Sequence, residues 1–387
     1  MSESMKPFRC HVSDDVIADL KERLSRTRFP DQLDGAGWDY GCERTYLESL
    51  CTYWRDEFDW RAAEARFNRF PQFTTEIDGE NVHFYHIRSP EPDAIPLIIT
   101  HGFPGSVAEF LDILGPLSDP VSHGGDRRDA FHVVAPSIPG YGFSGPTRTK
   151  GFNIGRAAAV NSRIMELLGY DRYIAQGGDF GSAISSHMAI AHPERVIALH
   201  LNFILGMPPD PANPTAGLSD KEIAALEWKR NYDAHESGYQ AIQGTKPQSL
   251  AYGLNDSPAG LAAWLTEKFK TWSDCGDDIE SSFSKDHLLE NIMLYWVTGT
   301  INSAMRLYYE SIGPSRAAER GFSYVSVPTA HARFPAEIRP TPRAWAEQMY
   351  NLVRWTELPR GGHFAAFEQP ESFVADLREF CRDYRGN

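Results

Sequence analysis

Apolar side chains in the first part of the chain recur at helical spacing. After Ser13, Asp14 and Asp15, which read as an N-cap and an acidic first turn, Ile17, Leu20 and Leu24 follow at intervals of three and four, and Phe29-Pro30 stops the helix. A second, aromatic-rich segment, TYLESLCTYWRDEFDWRAAEARFNRF, comes after the glycine-rich DGAGWDYG. Neither segment closes a core of its own. Residues 1–75 therefore read as an N-terminal helical arm packed on a larger body.

From Thr75 the rhythm changes to short apolar runs. TEIDGENVHFYHI places an Asp78-Gly79 turn between two strand-like stretches, a hairpin signal. IPLIITHG (95–102), FHVVAPSIPGYGFSG (131–145), RYIAQGGDFG (172–181) and VIALHLNF (196–203) follow, with helical patterns such as GRAAAVNSRIMELLG (155–169) between several of them. Strand and helix in alternation predict an α/β fold with a mostly parallel, doubly wound sheet covered on both faces. The proline-rich GMPPDPANPTAG (206–217) leaves this pattern, and Ser219 with Glu222 forms a capping box at the head of a largely helical region reaching about residue 320. Strand-like sequence returns at FSYVSVPTA (322–330) and LVRWTEL (352–358), ahead of an amphipathic C-terminal helix. The predicted organisation is an arm (1–75), a first core part (76–205), an inserted helical cap (206–320) and a second core part (321–387).

Composition narrows the chemistry. The 387 residues are 42% hydrophobic and 23% charged, an ordinary globular balance, with nine tryptophans and 22 phenylalanines available for core and for apolar pockets. A formal charge of −14 with no basic face argues against nucleic acid or anionic membranes as partners. The five cysteines (Cys10, Cys42, Cys51, Cys275, Cys381) are scattered, with no C-x-x-C pair, so neither a disulfide framework nor a zinc site is expected. The N-terminal MSESMKPFRC has no apolar stretch, and no run approaches the ~20 residues that span a bilayer. The expectation is a soluble, cytoplasmic protein.

Three loops carry the candidate chemistry. QGGDFGSA (176–183) has the form of a Gly-x-nucleophile-x-Gly turn between strand and helix, with Asp179 where hydrolases usually place serine and with Gly177 and Gly181 flanking it. Taken alone, Asp179 is equally well an N-cap. His101-Gly102-Phe103-Pro104-Gly105 follows another strand, where backbone N–H groups of a turn can face an oxyanion. Glu337 lies in ARFPAEIRP after a third strand, and His363 in RGGHF after a fourth. Nucleophile, acid and histidine thus occur in the chain order of the α/β-hydrolases.

These strings, together with TRFPD, GWDYG, HGFPGS, ESGYQAIQGTKPQSLAYGLNDSPAGLAAW, LYWVTGTINSAMRLYYE, FPAEI and RGGHFAAFEQPE, resemble the epoxide hydrolases of the microsomal type, within the α/β-hydrolase fold. The resemblance runs over nearly the whole chain. It implies Asp179 as nucleophile, His363 as general base, Glu337 as the acid that orients it, and Tyr239 and Tyr308 as cap residues that protonate the epoxide oxygen. The oxyanion hole would be the backbone N–H groups of Phe103 and Phe180; many relatives have tryptophan at both positions, which alters pocket shape but not a backbone donor. Tyr309 adjoins Tyr308, and spacing alone does not tell which ring points inward. The implied reaction converts a bulky, largely apolar epoxide to a vicinal diol through a covalent Asp179 ester, with water as co-substrate and no metal or organic cofactor. Detoxification and natural-product biosynthesis are both open as roles. The membrane anchor of mammalian members is not present in the sequence, and a homodimer is an expectation from the arm and the family alone.

Other readings fit less well. A haloalkane dehalogenase also uses aspartate and histidine on this fold, but holds the halide with side-chain N–H donors beside the nucleophile and the oxyanion turn, and Phe180 and Phe103 have none. A silent binding member would have no need of every catalytic group. His83 and His86 in HFYH face opposite sides of a strand and do not make a metal site.

Overall fold

The computed structural model describes residues 4–314 and 323–385. Nine strands form one sheet: β1 (Lys6–Phe8), β2 (Gln72–Ile77), β3 (Glu80–Ile87), β4 (Ile95–Thr100), β5 (Phe131–Pro136), β6 (Tyr173–Gly177), β7 (Val196–Leu201), β8 (Val325–Arg333) and β9 (Tyr350–Glu357). Their order across the sheet is β1-β2-β3-β5-β4-β6-β7-β8-β9. The β1-β2-β3-β5 pairings are antiparallel and the rest parallel. β2 and β3 meet at Asp78-Gly79, both with positive φ (54° and 76°), the geometry of a type I′ hairpin turn.

The central strands are buried along almost their whole length, with Leu97, Ile98, Ile99, Ile174, Ala175 and Leu199 fully enclosed. Both faces of the sheet are therefore covered, which explains why these strands read as continuous apolar runs rather than alternating ones. Helices 154–167 and 179–191 pack together over it, as do 111–118 and 370–381. β4 lies between β5 and β6, so the chain leaving β4 and the chain leaving β6 return to strands on opposite sides, and the carboxyl end of the sheet at this point is the usual place for a ligand crevice in such folds.

Among the described residues, six α-helices, from Asp220–Glu236 to Ile301–Ser311, are inserted between β7 and β8. The first opens on the reciprocal capping box of Ser219 and Glu222 that the sequence predicts. Among the described residues no helix is long and apolar enough to cross a membrane.

The N-terminal region departs from an all-helical arm. Helices 14–25, 44–56 and 60–67 are present, but Lys6–Phe8 forms an edge strand on β2, and Gln72–Thr75 already belong to the sheet. A three-residue strand has too little pattern to show in sequence; it exists because β2 offers it a ladder. The first helix ends at Ser25, ahead of Phe29-Pro30, because a proline ring at position 30 clashes with the helical carbonyl of residue 26. Ser13 holds the N-cap position without a side-chain cap hydrogen bond. The strand expected over 322–330 starts at Val325, with Phe322 outside the described residues.

Arm helices lie on cap helices 258–271 and 285–298. Arg23 bonds the Asp256 carboxylate at 2.9 Å, Tyr53 donates to Asp286 at 2.8 Å, and Arg66 pairs with the nearly buried Glu290 at 2.9 Å. Trp54 is 1% exposed. Replacing it with alanine is expected to lower unfolding stability by about 3–5 kcal/mol, the usual loss for a buried aromatic. Urea denaturation checks this, and a loss below about 1 kcal/mol would mean the arm is not part of the folded core.

Candidate active site

β6 runs into the helix 179–191 with only Gly178 between them. Asp179 takes φ of 48°, a left-handed conformation that costs a non-glycine residue about 1–3 kcal/mol and is held only where surroundings enforce it. Two glycines enforce it here. A Cβ on Gly177 would lie 2.2 Å from the carbonyl of Gly181, and one on Gly181 would lie 1.9 Å from the carbonyl oxygen of Thr100 at the end of β4. The turn can close only with bare backbone at both positions, and closing it lifts Asp179 above the sheet edge.

Asp179, Glu337 and His363 converge at the carboxyl ends of β6, β8 and β9. His363 Nδ1 is 3.0 Å from both oxygens of Glu337, and Nε2 is 3.4 Å from Asp179 Oδ2. Carboxylates only accept, so Nδ1 carries a proton donated to Glu337. His363 is buried, which by itself would pull its pKa down; the Glu337 carboxylate and hydrogen bonds to Asp179 and Glu337 outweigh this and hold it well above the ordinary value. The resting ring is an imidazolium between two carboxylates. Its backbone N–H donates to Trp272 at 2.9 Å, and the indole of Trp272 stands edge-on to the imidazole at 5.0 Å between centroids.

The 101–105 turn lies against the nucleophile. The Phe103 N–H donates to Asp179 Oδ1 at 2.9 Å, and a Cβ on Gly102 would strike that same oxygen at 2.2 Å. His101 braces the turn from below: Nδ1 donates to the Gly102 carbonyl at 3.0 Å, and Nε2 accepts the Ile138 N–H at 3.1 Å. Burial lowers its pKa to about 4, so it is a neutral structural ring at physiological pH. From above, cap helix 285–298 grips the turn. Asn291 Nδ2 donates to the Pro104 carbonyl at 2.9 Å, Tyr295 donates to the Gly105 carbonyl at 2.7 Å, and Ser106 Oγ donates to Asn291 Oδ1 at 2.7 Å.

Tyr239 and Tyr308 come from different cap helices and meet over this floor, with ring centroids 5.9 Å apart. Tyr308 stands edge-on to both Phe103 (5.4 Å) and Phe180 (4.7 Å), so the two phenyl rings shape the base on which it rests. Tyr308 is buried and Tyr309 is 38% exposed, which separates the adjacent rings that spacing left open. Burial, then the negative charge of Asp179, keeps the Tyr239 phenol above its usual pKa; burial and the neighbouring Tyr239 do the same for Tyr308. Both hydroxyls are protonated donors. A cavity of about 510 Å³ opens here, walled by Phe180, Phe203, Leu205, Tyr239, Tyr308 and Ile338, with Lys229, Asp233 and Arg339 adding polar wall.

All the site residues expected from sequence lie in this one place. Sequence reasoning missed Asn291, Tyr295 and Trp272, whose roles depend on a cap helix folding back onto a turn far away in sequence. It also missed Glu109, a half-buried residue four positions beyond the HGFPG motif. His83 and His86 lie elsewhere, bonded respectively to Ser137 with Gln72 and to Tyr170.

Sheet order, inserted cap and strand-to-helix elbow define an α/β-hydrolase fold. Residues 95–234 match the family model for the alpha/beta hydrolase fold, and residues 5–110 match that for the epoxide hydrolase N terminus. Epoxide hydrolase 1 of Sus scrofa is 40% identical over 405 residues, covering 98% of this chain and 88% of its own. The crystal structure of juvenile hormone epoxide hydrolase from Bombyx mori superposes with a TM-score of 0.91 at 33% identity, covering 99% of this chain and 95% of its own. The Aspergillus niger epoxide hydrolase structure does so with 0.88 at 32% identity, over 98% and 96%. The chain belongs to the epoxide hydrolase family.

The charge arrangement generates a test. Asp179→Asn removes one of the two carboxylates that hold the imidazolium, and the His363 pKa is expected to fall relative to the unaltered protein. NMR titration of the ring checks this; an unchanged midpoint would mean that Asp179 does not set its charge.

Proposed function

We propose that this epoxide hydrolase opens a bulky, largely apolar epoxide through a covalent ester on Asp179. The observation that carries the reading is that two buried tyrosines, Tyr239 and Tyr308, meet over a carboxylate that lies 3.4 Å from His363 Nε2. A carboxylate needs no deprotonation to attack a strained ring carbon. The epoxide oxygen leaves as an alkoxide and must be protonated as it forms, which Tyr239 and Tyr308 are suited to do. The C–O bond of the epoxide breaks, a bond from Asp179 to carbon forms, and a phenol proton passes to the new hydroxyl.

Esterification then changes the role of His363. Asp179 loses its negative charge, so one of the two supports for the imidazolium disappears and the ring releases its proton through solvent to the tyrosine pair. The neutral ring, still aligned by Glu337, becomes a base for water. Water adds to Asp179 Cγ, the oxyanion is held by the N–H groups of Phe103 and Phe180, and the diol departs with its alkyl oxygen. The cycle ends with His363 protonated and Asp179 ionised, as it began. Serine in the same place would give an ether that this water could not cleave. Attack of Asp179 on an ordinary ester would give an anhydride, so esterase activity is disfavoured. Phe103 and Phe180 offer no ring N–H to a halide, which supports an alkoxide rather than a halide as leaving group.

A single turnover with excess enzyme in H₂¹⁸O tests the ester. The first diol is expected to carry little label, with ¹⁸O found in the Asp179 peptide; direct labelling of that diol would sink the scheme. Tyr239→Phe and Tyr308→Phe are each expected to slow alkylation by about tenfold or more, and the double variant by about 10²–10⁴-fold. Stopped-flow measurement of ester formation checks them, and an unchanged rate in both single variants would remove the phenols from the acid role.

A further inference from the structure

Asp179 stands between two separate spaces. One is the 510 Å³ cavity beneath the cap tyrosines. The other is a small chamber with about 20 Å³ open to the centre of a water molecule, lined by Glu109, Gln176, Asn202 and His363 as well as by Phe110 and Phe364. Asp179 is the one described residue that lines both. A single water requires about 10–15 Å³ by that measure, together with two to four polar partners. The chamber satisfies both requirements.

Its walls point to such an occupant. Gln176 is 1% exposed, and its Oε1 has no hydrogen-bond partner among the described residues, while Nε2 donates to Asn202 Oδ1 at 2.8 Å. A buried acceptor without a donor carries a desolvation penalty that a water O–H would relieve. Glu109 belongs to the short helical turn 107–110. A Cβ on Gly105 would lie 1.5 Å from Glu109 Oε1, so the last glycine of the HGFPG motif makes room for this carboxyl. Burial pushes the Glu109 carboxyl up to about 8; His363 draws it down, and Asp179 adds to the rise. A neutral acid can sit near Asp179 without repelling it. The carboxyl also accepts the Ser106 N–H in the manner of a helix cap, which engages one of its two oxygens.

We propose that this chamber holds the water that hydrolyses the Asp179 ester, and that Glu109 is the residue that positions it. The inference rests on the covalent scheme above. The water gives one O–H to His363 Nε2 and the other to an acceptor of the chamber, Glu109 or Gln176 Oε1, which turns a lone pair toward Asp179 Cγ. Its oxygen bonds to Cγ, one of its protons ends on Nε2, and the bond from Cγ to the alkyl oxygen breaks as that oxygen takes up the water's second proton and leaves in the diol. Water thus reaches the ester from a space other than the one filled by the alkyl group.

The test separates the two half-reactions. Styrene oxide serves as probe, with the ester followed by the mass of the intact protein and the diol by rapid quench. In Glu109→Ala, alkylation is expected within about twofold of the unaltered enzyme while ester hydrolysis slows by about 10²-fold, so the ester accumulates. Glu109→Gln keeps a carbonyl acceptor and is expected to hydrolyse the ester within about threefold of normal. Should the alanine variant fail to fold, Glu109→Met, of similar length and without the acceptor, repeats the measurement. Ester hydrolysis at the normal rate in Glu109→Ala or Glu109→Met overturns the proposal, as does an equal loss in both half-reactions, the signature of a helix cap alone. If the unaltered enzyme forms no ester at all, the covalent scheme falls, and this inference with it.

Discussion

The Cα of Gly181 lies so close to the end of β4 that a methyl group on it would sit 1.9 Å from the Thr100 carbonyl oxygen. This backbone contact sets the spacing between two neighbouring strands' loops, and the site is built on that spacing. It draws the helix that begins at Asp179 against the turn that begins at His101. The Phe103 N–H then comes within 2.9 Å of an Asp179 oxygen, and the left-handed conformation at Asp179 is imposed by the sheet rather than chosen by the residue. The strain is small against the burial of the surrounding strands, which is why a large sheet can hold a residue in a conformation it would not adopt alone.

The cap completes this arrangement in two ways. Tyr239 and Tyr308 stand over Asp179, while Asn291 and Tyr295 hold the carbonyls of Pro104 and Gly105. With those carbonyls fixed, the N–H groups on the other side of the turn are fixed too. Phe103 links the two functions, since its backbone N–H donates to Asp179 and its ring, with that of Phe180, gives Tyr308 a base to stand on.

Much of this could be read from the chain. Strands of the parallel region are apolar over most of their length, and the Asp78-Gly79 turn and the Ser219–Glu222 box are local signals with local causes, so they are visible in sequence. Asp179, Glu337 and His363 were legible through their order and their places after strands. Other features were not, for identifiable reasons. Lys6–Phe8 is a strand only because β2 lies beside it. Asn291 and Tyr295 sit on a helix that reads as ordinary core, and their partners are more than 180 residues away. Ser106-x-x-Glu109 has the form of a helix cap, so a local explanation conceals the second direction in which the carboxyl faces.

The arm has a mechanical consequence. A cap inserted between two strands would ordinarily swing on its two connections like a door. Here a third support is added: the arm is stitched to the sheet edge through β1 and to the cap through Arg23, Tyr53 and Arg66. The cap behaves as a plate clamped on three sides. The helices that bear Tyr239 and Tyr308 thus belong to a cap whose seat over the sheet is set by the arm as well as by its two chain connections.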